Sequence, residues 1–263
     1  MSACSRLARL VSVFATLAGF LAANPANARA VDEPLPRFED NICPGIAGMD
    51  IESAEAMVWR IRQNLEAFGR RLDAPETCKP NLLVQFVASG KDTVEALRRS
   101  DNWLFNSMAD EDRARLFNET GPARALVRVI PRTRDGVVVE RSQGLASVPQ
   151  ATGFMAHSKI YGATRNDIIS VQVFLDRDAM AGMTIGQLAD YVTFRALTDT
   201  LPQTESARAA SIVSLFDGGA NAPAGLTDFD KTYLRELYSG IPNIPGPTRK
   251  LALEKATGVA IFQ

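Results

Sequence analysis

The sequence predicts an α+β fold: a single exported domain in which a mixed β-sheet carries helices packed on it, mainly on one face. Three observations lead there. Apolar residues recur at spacings of three and four over 51–68 and 184–198, which is the period of an amphipathic helix. Short, nearly continuous apolar runs at 82–87 and 168–175 read as buried strands. Two cysteines, Cys43 and Cys78, bracket the first helix and the start of the first run.

The chain opens with a basic pair, Arg6 and Arg9, followed by an apolar run over 10–23 and the small-x-small pattern Ala26-Asn27-Ala28. That order predicts a secretory signal peptide over 1–28, with cleavage after Ala28 or, on the overlapping Ala28-Arg29-Ala30 pattern, after Ala30. The run is shorter than the ~20 residues a membrane span needs, and no basic stop-transfer flank follows it, so no span is expected once the leader is gone. Residues 31–263 are then one α+β domain, long enough to bury a sizeable core. Losing Arg6 and Arg9 takes 29 basic residues to 27 against 30 acidic ones, a nearly neutral balance. No basic block or aromatic-interleaved stripe is present, which argues against nucleic acid as a partner. Periplasmic or secreted localisation is the expectation.

Asp50 is placed to cap the first helix, in which Ile51, Ala54, Met57, Ile61, Leu65 and Phe68 share a face and Gly69 marks the end. The strand at 82–87 follows Pro80-Asn81. Two short helices are expected at 92–100 and 110–117, separated by Trp103-Leu104-Phe105 at the edge of the core. Alternation over 125–132 and 137–141 around Asp135-Gly136 predicts a hairpin. Residues 142–153 are loop-like, and 168–175 is the strongest strand in the chain. The helix over 184–198 puts Ile185, Leu188, Ala189, Val192, Ala196 and Leu197 inward and stops before Pro202. Thr227 and Asp230 form a capping-box pattern for a helix over 228–238, and a last helix is expected near 249–256.

An exported chain with an even number of mature cysteines points to a disulfide between Cys43 and Cys78, stapling the first helix to the first strand. The 35-residue loop it closes corresponds to roughly 3 to 4 kcal/mol of destabilisation of the unfolded state. A C-x-x-C spacing is absent, and no histidine lies nearby to complete a zinc site.

Motifs that would dictate a reaction are missing. The single histidine, His157, rules out a multi-histidine zinc centre, and neither a G-x-S-x-G elbow nor a complete phosphate loop occurs. Gly90-Lys91-Asp92-Thr93 follows a strand and opens a helix, but Gln85 stands where the upstream glycine is needed, so it reads as a helix start. Asn118-Glu119-Thr120 is a formal sequon with nothing to recommend modification. Asp176/Asp178 and Asp228/Asp230 are paired carboxylates that suit hard-metal or acid/base chemistry, though both sit where helix capping wants aspartate. No catalytic residue, metal ligand or cofactor is assigned.

In the C-terminal third, a strong strand, a turn, the helix ending Tyr191-Val192-Thr193-Phe194-Arg195-Ala196-Leu197, a loop, and Leu226-Thr227-Asp228-Phe229-Asp230 leading to Leu237-Tyr238 resemble the metzincin-type zincin layout. The family's helix reads His-Glu-x-x-His-x-Leu. Here Tyr191, Val192 and Arg195 stand at the first histidine, the glutamate and the second histidine, and the third metal position falls near Leu201, so the resemblance implies a degenerate zincin-like scaffold without its metal. Across the mature chain, Cys43-Pro44, Cys78-Lys79-Pro80-Asn81, Gln187-Leu188-Ala189-Asp190-Tyr191 and residues 226–238 also resemble a family of exported alphaproteobacterial proteins, a likeness that implies export and no particular activity.

The function expected on these grounds is non-catalytic binding of a peptide or protein partner in a groove, with Tyr191 and Arg195 as groove residues and Arg195 available to a carboxylate. The bland alternative for Arg195 is a buried ion pair with Asp190 or another core acid. A periplasmic hydrolase using His157 or the paired carboxylates would need those groups to converge on one water. A structural envelope component would instead show a large exposed apolar patch and no pocket.

Overall fold

The computed structural model describes residues 32–100, 103–106, 108–139, 161–217 and 219–262. The expected leader over 1–28, His157 and the stretch 142–153 expected to be loop-like lie outside the described residues. In chain order the elements are β1 (Pro44–Ala47), α1 (Ile51–Ala67), β2 (Leu82–Val87), α2 (Gly90–Ser100), α3 (Trp103–Asn106), α4 (Asp110–Asn118), β3 (Ala123–Thr133) and β4 (Thr164–Asp176). After a 3-10 turn follow α5 (Ile185–Leu197), α6 (Glu205–Ala209), a 3-10 turn over Ile212–Phe216, α7 (Asp228–Leu237) and α8 (Gly246–Thr257). The α+β class holds, with one mixed four-stranded sheet in the order β1-β2-β4-β3. β1, β2 and β4 run parallel and β3 runs antiparallel along one edge.

Local sequence accounts for the helix ends. The Asp50 side chain accepts from the Ser53 N–H at 2.9 Å, and Gly69, at φ 67, lets the chain turn out of α1 while Arg70 N–H bonds back to the Leu65 carbonyl. Thr184 with Gln187 and Thr227 with Asp230 form capping boxes at α5 and α7. Gly48 must be glycine: its φ is 88 and a Cβ there would run into the Phe86 carbonyl.

One face of the sheet carries the larger core. Leu82, Val84 and Phe86 of β2 and Val171, Val173 and Leu175 of β4 meet α1, α5, α7 and the C-terminal segment there. Helices cover the other face as well, which corrects the expectation of packing mainly on one side. Leu126 and Phe174 point to that second face and meet Val94, Leu104, Phe105 and Leu116 of α2, α3 and α4. Trp103 is instead exposed, with the Arg128 guanidinium 4.7 Å from its ring centroid.

The hairpin expectation is half right. The turn at Asp135-Gly136 exists, with Gly136 at φ 90, and among the described residues a single bridge, Arg132 to Val138, joins the two arms. The real partner of β3 is β4, in register from Ala123 opposite Leu175 to Thr133 opposite Thr164, with Ile169 skipped between Arg128 and Val129. Cys43 and Cys78 are joined with Cα atoms 6.0 Å apart. The bond lies ahead of two neighbouring parallel strands rather than between the first helix and a strand, because β1, too short to announce itself by period, intervenes.

Candidate functional site

Where α5 approaches the start of β3, the chain leaves a cleft of about 430 Å³. Its walls are the end of α4, the connection 118–122 into β3, the segment 200–203, Arg208 of α6 and the 3-10 turn ending at Phe216. Tyr191 and Arg195 both line it, one turn apart on α5. Their shared face is set by the (i, i+4) spacing, while Asp190 and Thr193 on another face of α5 meet Asn64 of α1.

Tyr191 packs edge-on against Phe216, ring centroids 4.7 Å apart, and with Val213 and Leu201 contributes to the apolar part of the cleft. Burial pushes its phenol up to about 12, so it is neutral at any physiological pH. Arg195, 5% exposed at the side chain, bonds Glu119 at 2.7 Å. Burial works against the guanidinium's charge, but the Glu119 carboxylate outweighs it and the group is held above its ordinary value. Arg115 reaches Asp112 at 2.5 Å and Asp199 at 3.0 Å, and Arg208 lies 3.8 Å from Asp217 near the mouth. A narrow inner cavity of about 20 Å³ continues the cleft beneath β3, reaching Ala125 and Val127 and again touching Arg115, Glu119 and Arg195.

Among the described residues that line this cleft, one buried side-chain polar atom lacks a hydrogen-bond partner: Nε of Arg195. A buried N–H donor without an acceptor is costly. The acids around it are engaged with Arg195 or Arg115, or lie near Arg208.

The alternative reading of Arg195 as a buried ion pair is met with Glu119 as the acid, not Asp190. Asp190 instead receives Arg60 through two bonds of 2.8 and 2.9 Å, Asn64 at 2.7 Å and the Leu226 N–H at 3.0 Å. Burial alone would raise this carboxyl; the bonds from Arg60, Asn64 and Leu226 win, and it is held below the usual carboxylate range. The loop approaches so closely that a Cβ on Gly225 would sit 2.5 Å from Asp190 Oδ2.

The paired carboxylates do not converge. Asp176 accepts from the Gly90 N–H at 2.5 Å, while Asp178 is exposed. Asp230 is buried and accepts from Ser211 and from the Ile212 and Thr227 N–H groups, while Asp228 is exposed. Among the described residues no group of three or more His, Cys, Asp or Glu side chains is arranged to hold a metal ion. No helix there is long and apolar enough to cross a membrane. Glu119, Arg115, Asp199 and Arg208 were not legible as cleft residues, since each comes from a segment whose placement depends on long-range packing. Comparison with protein-family models, curated proteins and solved structures finds no match to this chain.

Proposed function

We propose that this chain is an exported, non-catalytic binding protein whose cleft takes a carboxylate-bearing peptide through Arg195. The observation that carries this reading is the pairing of Tyr191 and Arg195 on the wall of one cleft, with the buried Nε of Arg195 lacking an acceptor. The leader pattern and the Cys43–Cys78 bond support export. The order β4, turn, α5, loop, α7 is the one on which the resemblance to a zincin-like scaffold rests, with Tyr191, Val192 and Arg195 in place of metal-binding and catalytic side chains.

Arg195→Ala tests this directly. Retention of a degenerate peptide pool on immobilised protein is expected to fall at least tenfold, with the melting temperature lowered by only a few degrees, as Glu119 is left partly able to reach water. No retention by the wild-type chain, or a collapse of stability in the variant without any ligand found, sinks the reading in favour of a purely structural ion pair.

A second reading has one observation in its favour. Ile51 and Trp59 are 78% and 62% exposed. They border an open, largely apolar groove between α1, β1 and Pro75, a surface suited to an envelope component held against a partner protein.

A further inference from the structure

A second surface, apart from the cleft, lies on the outer side of α1. Met57, Ile61 and Leu65 turn into the core, while Ile51, Glu55, Val58 and Arg62 follow one another at spacings of four, three and four along a different line of the same helix. Ile51 is 78% and Trp59 62% exposed, and with Ala54 they form one wall of a groove of about 510 Å³ whose other side is Ile46 of β1, Met49 and Pro75. Contiguous apolar surface of this kind, with a tryptophan in it, marks a site of protein contact.

The charges on the stripe say what kind of partner fits. Glu55 and Arg62 lie two helical turns apart, about 10 Å along the axis, with Val58 and Trp59 midway between them. Among the described residues neither is held in an ion pair. The Arg62 guanidinium donates to the Asp73 carbonyl at 3.1 Å, which steadies it without neutralising its charge. Laid against a copy of itself in the opposite direction, the stripe is its own electrostatic complement: Glu55 of each chain meets Arg62 of the other, across a two-fold axis near Val58 and Trp59. Laid in the same direction it would set Glu55 against Glu55 and Arg62 against Arg62, and like charges oppose that arrangement. A uniformly acidic or basic partner satisfies only one of the two charges, whereas a second copy satisfies both.

We infer that this chain pairs with itself through α1, the two helices antiparallel, Trp59 of each copy packed into the groove of the other and Glu55 and Arg62 joined reciprocally at the two ends of the contact. The pairing is independent of peptide binding in the cleft, and it fills the groove that the envelope reading leaves to a partner protein.

Sedimentation equilibrium of the purified chain, with its Cys43–Cys78 bond intact, is expected to show a monomer–dimer equilibrium. Trp59→Ala is expected to weaken it at least tenfold at an unchanged melting temperature, since the indole is exposed in the single chain. Glu55→Arg and Arg62→Glu each set like charges together at both ends of the contact, and each is expected to leave the chain monomeric at concentrations where the wild type is paired. Mixing the two variants restores pairing, because one copy then presents two cations and the other two anions. A wild-type chain that stays monomeric at every attainable concentration overturns the inference and leaves the groove to a different protein. A dimer indifferent to Trp59→Ala and to Glu55→Arg overturns the assignment of this face, as does a mixture of the two charge variants that stays monomeric while each keeps the wild-type circular dichroism. Should Arg62→Glu unfold through loss of its contact with Asp73, Trp59→Ala and Glu55→Arg carry the test, both sites being exposed.

Discussion

Replacing Cys43 and Cys78 together by alanine is expected to lower stability by about 4 kcal/mol, the chain-entropy value for a closed loop of 35 residues. For a domain of this size that is a drop of roughly 8–15 °C in melting temperature. The bond fixes the approach of two neighbouring parallel strands, so its loss frees the segment between them in the unfolded chain, including α1. Calorimetry of the wild-type chain with and without reductant should reproduce most of the effect without any mutation. Identical melting in both conditions would mean that the bond does not constrain the unfolded state.

Asp190→Ala is the second large effect. The carboxylate joins Arg60 and Asn64 of α1 to the Leu226 N–H, tying α5 to a helix and a loop distant in sequence. Its side chain is 2% exposed while that of Arg60 is 42% exposed, so the arginine can rehydrate, but Asn64 and the Leu226 N–H lose an acceptor. A loss of ~2–4 kcal/mol is expected in chemical denaturation. The same group predicts a pH dependence. Its pKa is lower folded than unfolded, so its contribution is complete above the unfolded value near 4 and disappears as the pH falls through the folded value. The wild-type chain should therefore lose stability on acidification below about pH 4 more steeply than Asp190→Asn, which has no carboxyl to protonate at that position. Parallel acid slopes for the two proteins would place the titrating group elsewhere.

Elements whose signal is local were legible in the sequence, and those that depend on distant partners were not. α1, α5 and α7 carry their own caps in Asp50, Thr184 and Thr227, and β2 and β4 carry continuous apolar runs. The pairing of β3 with β4 was hidden because Asp135-Gly136 offers a nearer and cheaper partner, which among the described residues makes one bridge. The cleft was half legible. Tyr191 and Arg195 lie on one face of a helix whose period is plain, so their neighbourhood could be foreseen. Glu119 could not, because nothing in Asn118-Glu119-Thr120 says that the turn into β3 carries its carboxylate to α5. Which of the two weighed partners, Asp190 or another acid, Arg195 would take was not legible for a related reason. Adjacent residues on a helix point about 100° apart, and Arg60 comes from 130 positions away.

From Leu188 to Leu197 every residue of α5 is buried, so the helix is enclosed on all sides rather than amphipathic. Its amides are expected to exchange only through global unfolding, so that their hydrogen exchange would report the stability of the whole domain. Arg195 is thus mounted on a helix enclosed by the core. On the proposed binding reading, the guanidinium is already in place before a ligand arrives, and the ordering cost of association would fall on the incoming molecule and on the connections around it, not on the wall it meets.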